Sequence, residues 1–370
     1  MKKSPELSAL SVMNAVARKS SLRSSLHILR CGIIDAEGAR VRVTTLDHEL
    51  VLANMPIPAG VKFPALFDLP LYVRTGDLPA AVSAAAADPY LKVDEFPGMV
   101  KGIGACSGRL PAGLATLIPS LAVDESRHAL NLVCCNAKKG EAVATDGHTL
   151  FLRNFDNPCF EKSFLISSLA LKVAECFADL PSVYVADDSR VTFKGAGWWL
   201  SYRGEEYIAF PEYKKVIPDY RKLRPVVWTA ADRAAIYGYI QKVLPFYPRR
   251  DFCPMFFSET AAYVRIKSIG YSSDNDFQTS IFPVKNKLIK FDARLFMKVI
   301  EYFGHKGKDT GDTIVQVGTN PCNVALFRSA DKSRRAILMP LRVLSGTEGD
   351  VWQESADIDK KEEIAGFGNT

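Results

Sequence analysis

Two side chains able to exchange protons, Asp146 and His148, flank a glycine within residues 143–150, Val-Ala-Thr-Asp-Gly-His-Thr-Leu. Aspartate and histidine are among the side chains that general acid–base catalysis uses. The same residues suit a tight turn, because glycine accepts a positive φ and aspartate hydrogen-bonds its own backbone. The segment predicts a β-hairpin. It leaves two interpretations of Asp146 and His148 open, a turn with a partly buried imidazole or a catalytic pair.

Other patterns that carry chemistry do not occur in the sequence. Among the eight cysteines only Cys134 and Cys135 are adjacent, no C-x-x-C pair occurs, and the five histidines form no H-E-x-x-H. Neither a G-x-S-x-G nor a Walker loop is present. The sequence therefore predicts a non-catalytic protein with reduced thiols, no cofactor and no metal site, although an enzyme using Asp146 and His148 remains an alternative.

Composition and charge limit the class of protein. With 370 residues, 48% of them hydrophobic and 24% charged, the chain is long enough for two or three globular domains. No apolar run approaches the roughly 20 residues of a membrane helix, and Pro5 and Glu6 interrupt any signal-type start. A cytoplasmic protein without membrane contact is expected.

The charge is unevenly distributed along the chain. Residues 344–370 hold seven acidic and two basic residues, a net charge of −5, so residues 1–343 carry +11 against +6 for the whole chain. The net positive charge of residues 1–343 suits a polyanionic partner, although a solvated surface carries such an excess of positive charge just as often. The acidic tail is predicted to be disordered.

Hydrophobic periodicity predicts a mixed α and β protein with an internal repeat. Helices are predicted at 7–17, 109–122, 169–180, 229–244 and 292–303, and strands at 28–34, 41–45, 50–52, 129–134, 141–144 and 198–202 and near 183, 191, 256, 264 and 281. The alanine-rich residues 80–87 carry no assignment. Residues 171–177 align with residues 297–303 at an offset of 126, and both follow a strand and a polar N-cap.

Four stretches resemble the bacterial sliding clamp, the beta subunit of DNA polymerase III, in the order and at about the distances of that family. Residues 144–150 are similar to its hallmark segment. The others are 23–29 (Arg-Ser-Ser-Leu-His-Ile-Leu), 210–218 (Phe-Pro-Glu-Tyr-Lys-Lys-Val-Ile-Pro) and 337–343 (Ile-Leu-Met-Pro-Leu-Arg-Val). Four such matches in order across residues 23–343 are hard to obtain by chance.

The resemblance implies an α+β fold of three similar clamp-type domains, with helices on antiparallel sheets, arranged as a half ring. The implied divisions are a shortened domain 1 (1–98), domain 2 (99–223), domain 3 (224–343) and the tail (344–370). It implies a homodimeric DNA replication processivity factor that encircles double-stranded DNA and serves replicative and repair polymerases and a clamp loader. Six basic residues are expected to face DNA: Arg18, Lys19, Arg23, Arg109, Lys172 and Lys298. The implied wall helices also offer Arg233, Lys242 and Arg294.

The family also docks partner peptides in a pocket between its second and third domains. Carried over residue by residue, that pocket comprises Leu130, Thr145, Gly147, His148, Thr149, Leu150, Pro211, Lys215, Val216, Ile337, Met339, Pro340 and Arg342. Glycine allows close approach of a peptide, and aliphatic side chains with a methionine make an adaptable apolar floor.

Three departures from the family pattern keep a second function open. Thr149 and Lys215 stand where the family commonly has arginine, the first domain lacks part of its second half, and the chain continues past the last motif. A clamp paralogue that does not close a ring, and acts as a monomeric adaptor or inhibitor of replication proteins, is the alternative.

Overall fold

The computed structural model describes Met13 and most of residues 27–341. The undescribed residues are 1–12, 14–26, 36–39, 46–47, 54–58, 96–104, 125, 156–158, 178, 188, 204–208, 222, 224, 247–253, 258–261, 269–270, 278–288, 305–310, 319–322 and 342–370. Several predictions lie outside the described residues: nearly all of the helix at 7–17, Arg18, Lys19, Arg23, the strand near 281, Arg342 and the acidic tail.

The chain forms two compact units. Unit 1 comprises Met1–Ile217 and Arg328–Ala336, and unit 2 comprises Pro218–Phe327 and Ile337–Thr370. The predicted boundary near residue 98 falls inside unit 1. The division into three domains stays a prediction.

Unit 1 contains twelve strands in the part of the chain that is described. They are β1 (Cys31–Asp35), β2 (Arg40–Thr44), β3 (His48–Leu52), β4 (Ala65–Asp68), β5 (Ala105–Arg109), β6 (Leu132–Asn136), β7 (Glu141–Thr145), β8 (Thr149–Asn154), β9 (Phe164–Ser167), β10 (Ser182–Val185), β11 (Arg190–Gly195) and β12 (Trp198–Arg203). One sheet has the order β4-β1-β2-β3-β12-β11-β10-β5, and the other includes β9-β6-β7-β8. Both are antiparallel in their registers.

The first sheet joins stretches that lie far apart in the sequence. β3 pairs with β12, from His48 opposite Tyr202 to Leu52 opposite Trp198. Both faces of these strands are covered, because the consecutive residues 49–52 of β3 and 200–202 of β12 are all buried. The His48 ring stacks on Tyr202 with centroids 5.4 Å apart, and His48 Nε2 lies 2.7 Å from Ser167 Oγ. Residues on both sides of position 98 therefore share one sheet and one core.

Three helices begin where the last residue of a strand caps them. Asp68 precedes α1 (Leu69–Thr75), Ser167 precedes α3 (Ser168–Cys176), and Asp292 precedes α5 (Ala293–Phe303). Each cap accepts a hydrogen bond from a backbone N–H of the first turn, at 2.7, 3.1 and 2.7 Å respectively. The junctions at Ser167 and Asp292 are the two copies of the predicted repeat. The junction at Asp68 has the same arrangement. Another helix of unit 1, α2 (Leu78–Ala86), covers most of the unassigned alanine-rich stretch.

Several predicted boundaries are wrong for local reasons. Residues 109–122 form the end of β5 and a 3-10 helix, Leu114–Ser120, instead of an α-helix. Its buried residues Leu114, Leu117 and Ser120 recur every three positions, and Pro119 lacks the N–H that an α-helix needs. The 3-10 turns His27–Arg30 and His128–Asn131 occupy the starts of two predicted strands. The helix predicted to reach residue 180 ends at Cys176.

Within its described residues, unit 2 contains two α-helices and six complete strands, together with parts of two further strands that also include residues of unit 1. The strands are β13 (Val226–Trp228), β14 (Pro254–Phe257), β15 (Ala262–Ser268), β16 (Tyr271–Phe277), β17 (Ile289–Asp292), β18 (Thr313–Val317), β19 (Ala325–Ser329) and β20 (Arg334–Leu338). Their orders are β13-β18-β19-β20 and β16-β15-β14-β17. α4 (Ala230–Val243) begins at the predicted position with a capping box between Thr229 and Asp232. An aromatic cluster of Trp228, Phe296 and Phe327 lies in the core, with ring centroids 5.8 to 5.9 Å apart.

Candidate functional site

The predicted hairpin at residues 143–150 is confirmed, with its turn one residue later than the Asp-Gly pattern indicates. The Asp146 N–H donates to Thr149 O at 3.2 Å, so the two residues between the closing pair are Gly147 and His148. Gly147 has a φ of +88°, which suits the first central position of a two-residue hairpin loop and favours glycine there. The Gly147 backbone and the His148 side chain are exposed at the tip.

Asp146 holds the hairpin turn together. Its Oδ1 accepts hydrogen bonds from the His148 N–H at 2.9 Å, the Thr149 N–H at 2.6 Å and the Thr149 hydroxyl at 2.9 Å. His148 thus contacts Asp146 through its backbone N–H rather than its imidazole. This geometry supports the turn interpretation of the two residues and does not make a proton-transfer pair.

The residue at the family's arginine position faces the interior. Thr149 is only 1% exposed, and its hydroxyl lies 3.1 Å from Ser120 Oγ as well as bonding Asp146. Ser120 Oγ also lies 3.1 Å from Ala144 O and 3.2 Å from Thr149 O. The predicted role of Thr149 as a pocket residue is therefore revised, because its side chain supports the hairpin from below and cannot meet a docked peptide.

A buried tyrosine anchors the predicted 210–218 motif to the same sheet. Tyr213 lies in the 3-10 helix Tyr213–Val216, and its hydroxyl donates to Glu141 Oε1 on β7. Lys139 Nζ lies 3.4 Å from the Tyr213 oxygen and 5.1 Å from the ring centroid. Burial and then the Glu141 hydrogen bond raise the pKa of Tyr213, so the phenol stays a donor. Sequence reasoning missed Tyr213, Glu141 and Lys139, although the tyrosine stands inside the motif.

A second group of residues that sequence reasoning missed lies beside the hairpin turn. Arg127 Nη1 donates to Asp146 O at 3.4 Å, and Arg127 Nε lies 3.7 Å from Asp124 Oδ2. Nineteen residues separate Arg127 from Asp146 in the chain. No sequence pattern described above indicated this contact.

The predicted docking residues fall into three groups by exposure. Thr145, Thr149, Leu150 and Ile337 are buried; Leu130, Met339 and Pro340 are partly buried; Gly147, His148, Pro211, Lys215 and Val216 are exposed. Ile337, Met339 and Pro340 belong to unit 2 and the others to unit 1. Within unit 1, Arg127 contacts the turn of the hairpin, whereas Tyr213 contacts Glu141 at the other end of β7. A pocket that uses both units stays a prediction.

The predicted DNA-contacting residues occupy different kinds of element. Lys172 is exposed on α3, and Lys298 is partly buried on α5. Arg109 is exposed, yet it ends strand β5 instead of lying on a helix. Arg233 is only 1% exposed and donates to Gly304 O at 2.7 Å and to Thr313 Oγ1 at 3.1 Å. It therefore cannot contact DNA as an inner-wall residue.

Two further features concern the described part of the chain, its potential metal ligands and the length of its helices. In that part of the chain no group of histidine, cysteine and acidic side chains could hold a metal ion. No helix within it is long and apolar enough to cross a membrane.

Comparisons with known proteins identify the fold. No protein-family model matches the chain, and no curated protein matches it significantly. Among solved structures, a sliding clamp from Bartonella birtlesii bound to griselimycin is similar with a TM-score of 0.71 at 18% identity, covering 91% of this chain and 98% of that one. The DNA polymerase III beta subunit of Thermotoga maritima gives 0.70 at 16% identity over 92% and 98%. That of Pseudomonas aeruginosa gives 0.68 at 16% over 91% and 98%.

These similarities cover nearly the whole of each clamp chain at low identity. The chain therefore has the α+β fold of helices and antiparallel sheets that sliding clamps have, and the fold class predicted from the four motifs is confirmed.

Proposed function

We propose that this chain, which has the sliding-clamp fold, is a DNA sliding clamp: a non-catalytic processivity factor that encircles duplex DNA and tethers replicative and repair polymerases. The observation that carries the proposal is the extent of the shared fold, over at least 91% of the chain. The Asp146 hairpin and the Tyr213 segment, both predicted from motifs, lie on one sheet of unit 1 and support it.

DNA would be held by topology and non-specific charge. The +11 of residues 1–343 provides the overall attraction, and exposed Lys172 on α3 offers a mobile cation to phosphates. Contacts of this kind fix no register on the bases, so the protein can slide. Lys298, which is partly buried on α5, and Arg109 at the end of β5 are proposed as weaker contributors.

Partner proteins would dock at the exposed surface around the hairpin turn. A Cβ atom added at Gly147 would meet only Arg127 Nη1, at 3.6 Å, so a peptide backbone has room to approach. Exposed Pro211 and Val216 lie on the segment that Tyr213 anchors to β7, and they would add apolar area to such a surface. A partner peptide rich in glutamine, leucine and phenylalanine fits such a surface, as does a clamp loader that uses the same contact.

A homodimer would need an apolar edge on the first predicted domain. An open cleft of about 470 Å³ lies between residues 59–66, helix α2 and residues 91–93. Phe63, Tyr90 and Val93 are large apolar side chains exposed in the same segments, at 43, 77 and 37%. Exposed apolar surface of this kind marks an interaction site, and a second copy of the chain would cover it in a closed ring.

The monomeric adaptor is the second candidate, and one observation favours it. Among the described residues, β4 is the edge strand of the first sheet on the domain 1 side, and helices α1 and α2 follow it in the chain. A shortened edge of this kind gives less area for joining two subunits. An adaptor or inhibitor would dock the same partners without encircling DNA.

Light scattering and a DNA-retention assay test the proposal together. We expect a dimer at micromolar concentration, and protein assembled by a clamp loader should stay on circular duplex and leave linear duplex. Lys172→Glu should reduce retention, whereas Lys194→Glu, the same charge change on strand β11, should not. A strict monomer that binds partners would establish the adaptor instead. Tight, sequence-specific binding to short linear duplexes would contradict both.

A further inference from the structure

Two pairs of lysines that lie far apart in the chain meet in unit 1. Lys138 and Lys139 end the 3-10 turn between β6 and β7, and Lys214 and Lys215 follow Tyr213 in its 3-10 helix. The side chains of Lys139 and Lys214 share a hydrogen bond. All four lysines are exposed, and they form what is termed here the lysine cluster.

Contacts with Tyr213 and Glu141 hold the Lys139 side chain in place. The Lys139 ammonium donates to the Tyr213 oxygen at 3.4 Å, lies 5.1 Å from the centroid of the Tyr213 ring and lies 3.7 Å from Glu141 Oε1. The Tyr213 hydroxyl donates to the same carboxylate. Because Lys139 is fixed in this way and Lys214 directly follows Tyr213, the two amines are kept close together.

A hydrogen bond between two lysine side chains requires that one of them is neutral. An ammonium group carries donors and no acceptor, so only the neutral amine can accept. The hydrogen bond to Lys139 lowers the pKa of Lys214, desolvation and the positive charge of Lys139 add to this effect, and Glu141 opposes it. Lys139 has the Glu141 carboxylate as its counter-ion. Lys214 is therefore the amine that loses its proton more readily.

A neutral lysine amine is a nucleophile toward activated acyl groups. Its lone pair attacks the carbonyl carbon of an acyl phosphate, so that a C–N bond forms and the C–O bond to the phosphate breaks. The phosphate leaves with the electron pair of that bond and takes up the proton that the nitrogen loses. The remaining ammonium groups of the lysine cluster attract the anionic donor and stabilise the charge that develops on its oxygens.

We propose that Lys214 is an acylation site, which takes an acyl group from an acyl phosphate that binds at the lysine cluster. Lys139 is a positioning residue, because it acts through the amine of Lys214. Lys215 is less suited to the reaction, since its ammonium is paired with the Glu212 carboxylate. Acylation converts Lys214 to a neutral amide and so removes one positive charge from this surface of unit 1.

Acetylation of the full chain by acetyl phosphate tests this assignment. Peptide mass spectrometry follows the rate at each lysine between about pH 7 and pH 10, a range that ends near the ordinary lysine pKa. Lys194, exposed on β11, is the control within the same chain, and Lys215 is the control within the cluster. The variants are Lys139→Gln, which removes the charge, and Lys139→Arg, which keeps it. Thermal melting of each variant verifies folding.

In the wild type, Lys214 should be acetylated at least about threefold faster than Lys194 and Lys215 near neutral pH, because more of its amine is neutral. The ratio to Lys194 should fall as the pH rises, since both amines then become neutral. Lys139→Gln should lower the Lys214 rate to that of Lys194, and Lys139→Arg should keep most of the difference.

Two results would overturn the proposal or part of it. A Lys214 rate no higher than that of Lys194 at every pH overturns the acylation site, and this comparison needs no variant. A Lys214 rate that stays high in Lys139→Gln, with the same pH profile, overturns the role of Lys139. The preference for Lys214 should also decrease as the salt concentration rises, because salt screens the attraction of the donor. A preference that does not change with salt overturns binding of the acyl phosphate by the cluster.

Discussion

Two helical elements follow strands and are partly buried. The 3-10 helix Leu114–Ser120 follows β5 in unit 1, and α4 follows β13 in unit 2. Their starts differ. Gly113, with a φ of +74° and no side-chain cap, precedes the 3-10 helix, whereas Thr229 and Asp232 form a complete capping box at α4. Pro119 then removes a backbone donor from the shorter element. Apolar spacing alone is therefore not enough for an α-helix, because the first turn needs partners for its N–H groups.

The two elements also support different parts of the molecule through buried polar side chains. Ser120, at the end of the 3-10 helix, places its hydroxyl beneath the hairpin beside Ala144 O and Thr149 O. Arg233, in the first turns of α4, reaches Gly304 O after α5 and Thr313 on β18. A short element thus supports the hairpin of unit 1, and a long one links the helices of unit 2.

The largest effect is expected at Arg233. Arg233→Ala should lower the free energy of unfolding by about 3–5 kcal/mol, because it leaves buried carbonyl and hydroxyl groups without their charged donor. Denaturation in urea, followed by tryptophan fluorescence, measures it, since Arg233 Nη1 also lies 3.3 Å from the Trp228 carbonyl. Lys242→Ala, on an exposed position of the same helix, should change stability by less than about 0.5 kcal/mol. Equal stability of the two variants would show that Arg233 does not link the elements.

The next effect concerns the hairpin support. Ser120→Ala should destabilise unit 1 by about 1–3 kcal/mol, because the buried Thr149 hydroxyl loses a hydrogen-bond partner. It should also weaken peptide binding, through loss of order in the turn. Ser83→Ala is the control, because Ser83 is exposed on α2 and bonds only Pro79 O in its own helix at 3.0 Å. Native-state hydrogen exchange of the Thr149 and Leu150 amides measures the local change. Unaltered hydrogen exchange would show that the 3-10 helix does not stabilise the hairpin.

The capping difference predicts a smaller effect. Thr229→Ala should lower the free energy of unfolding by about 1 kcal/mol, because the Asp232 N–H loses its capping oxygen. Thr229→Ser keeps that oxygen and should restore wild-type stability. Circular dichroism during urea denaturation compares the two variants. If Thr229→Ala leaves stability unchanged, packing and not the cap determines where α4 starts.

The smallest effect concerns the reactivity of two cysteines. One lies on β5, before the 3-10 helix, and the other lies on β6, in the sheet that contains the hairpin. Cys106 on β5 is exposed, whereas burial raises the pKa of Cys134 on β6 to about 11, with Glu141 adding to the rise. A raised thiol pKa means less thiolate, roughly one molecule in a thousand at pH 8 for Cys134. Iodoacetamide at pH 8 should therefore modify Cys106 first, with Cys134 reacting only as the pH approaches 11 or after denaturation. Mass spectrometry of the peptides decides the order.

Local patterns predicted the elements whose causes are local. The turn chemistry of Asp146 and Gly147, the N-caps at Ser167 and Asp292, and the strand propensity of β11 and β12 all act within a few residues. Their structures follow the predictions closely. The four motifs gave information about the whole chain, because their order and distances match those of the clamp family. They predicted the fold class that the solved clamps share.

The remaining features depend on which distant residues meet. The apolar spacing of residues 110–121 fits a repeat of 3.6 about as well as one of 3.0, and the 3-10 helix that forms places Ser120 beneath the hairpin. From the sequence alone, Arg233 is expected to be a surface cation, because its partners lie about 70 and 80 residues away in the chain. The contact of Arg127 with the turn at Asp146 is equally non-local. Sequence determines turns, caps and strand faces because those energies are local, whereas burial of polar side chains is set by the tertiary structure alone.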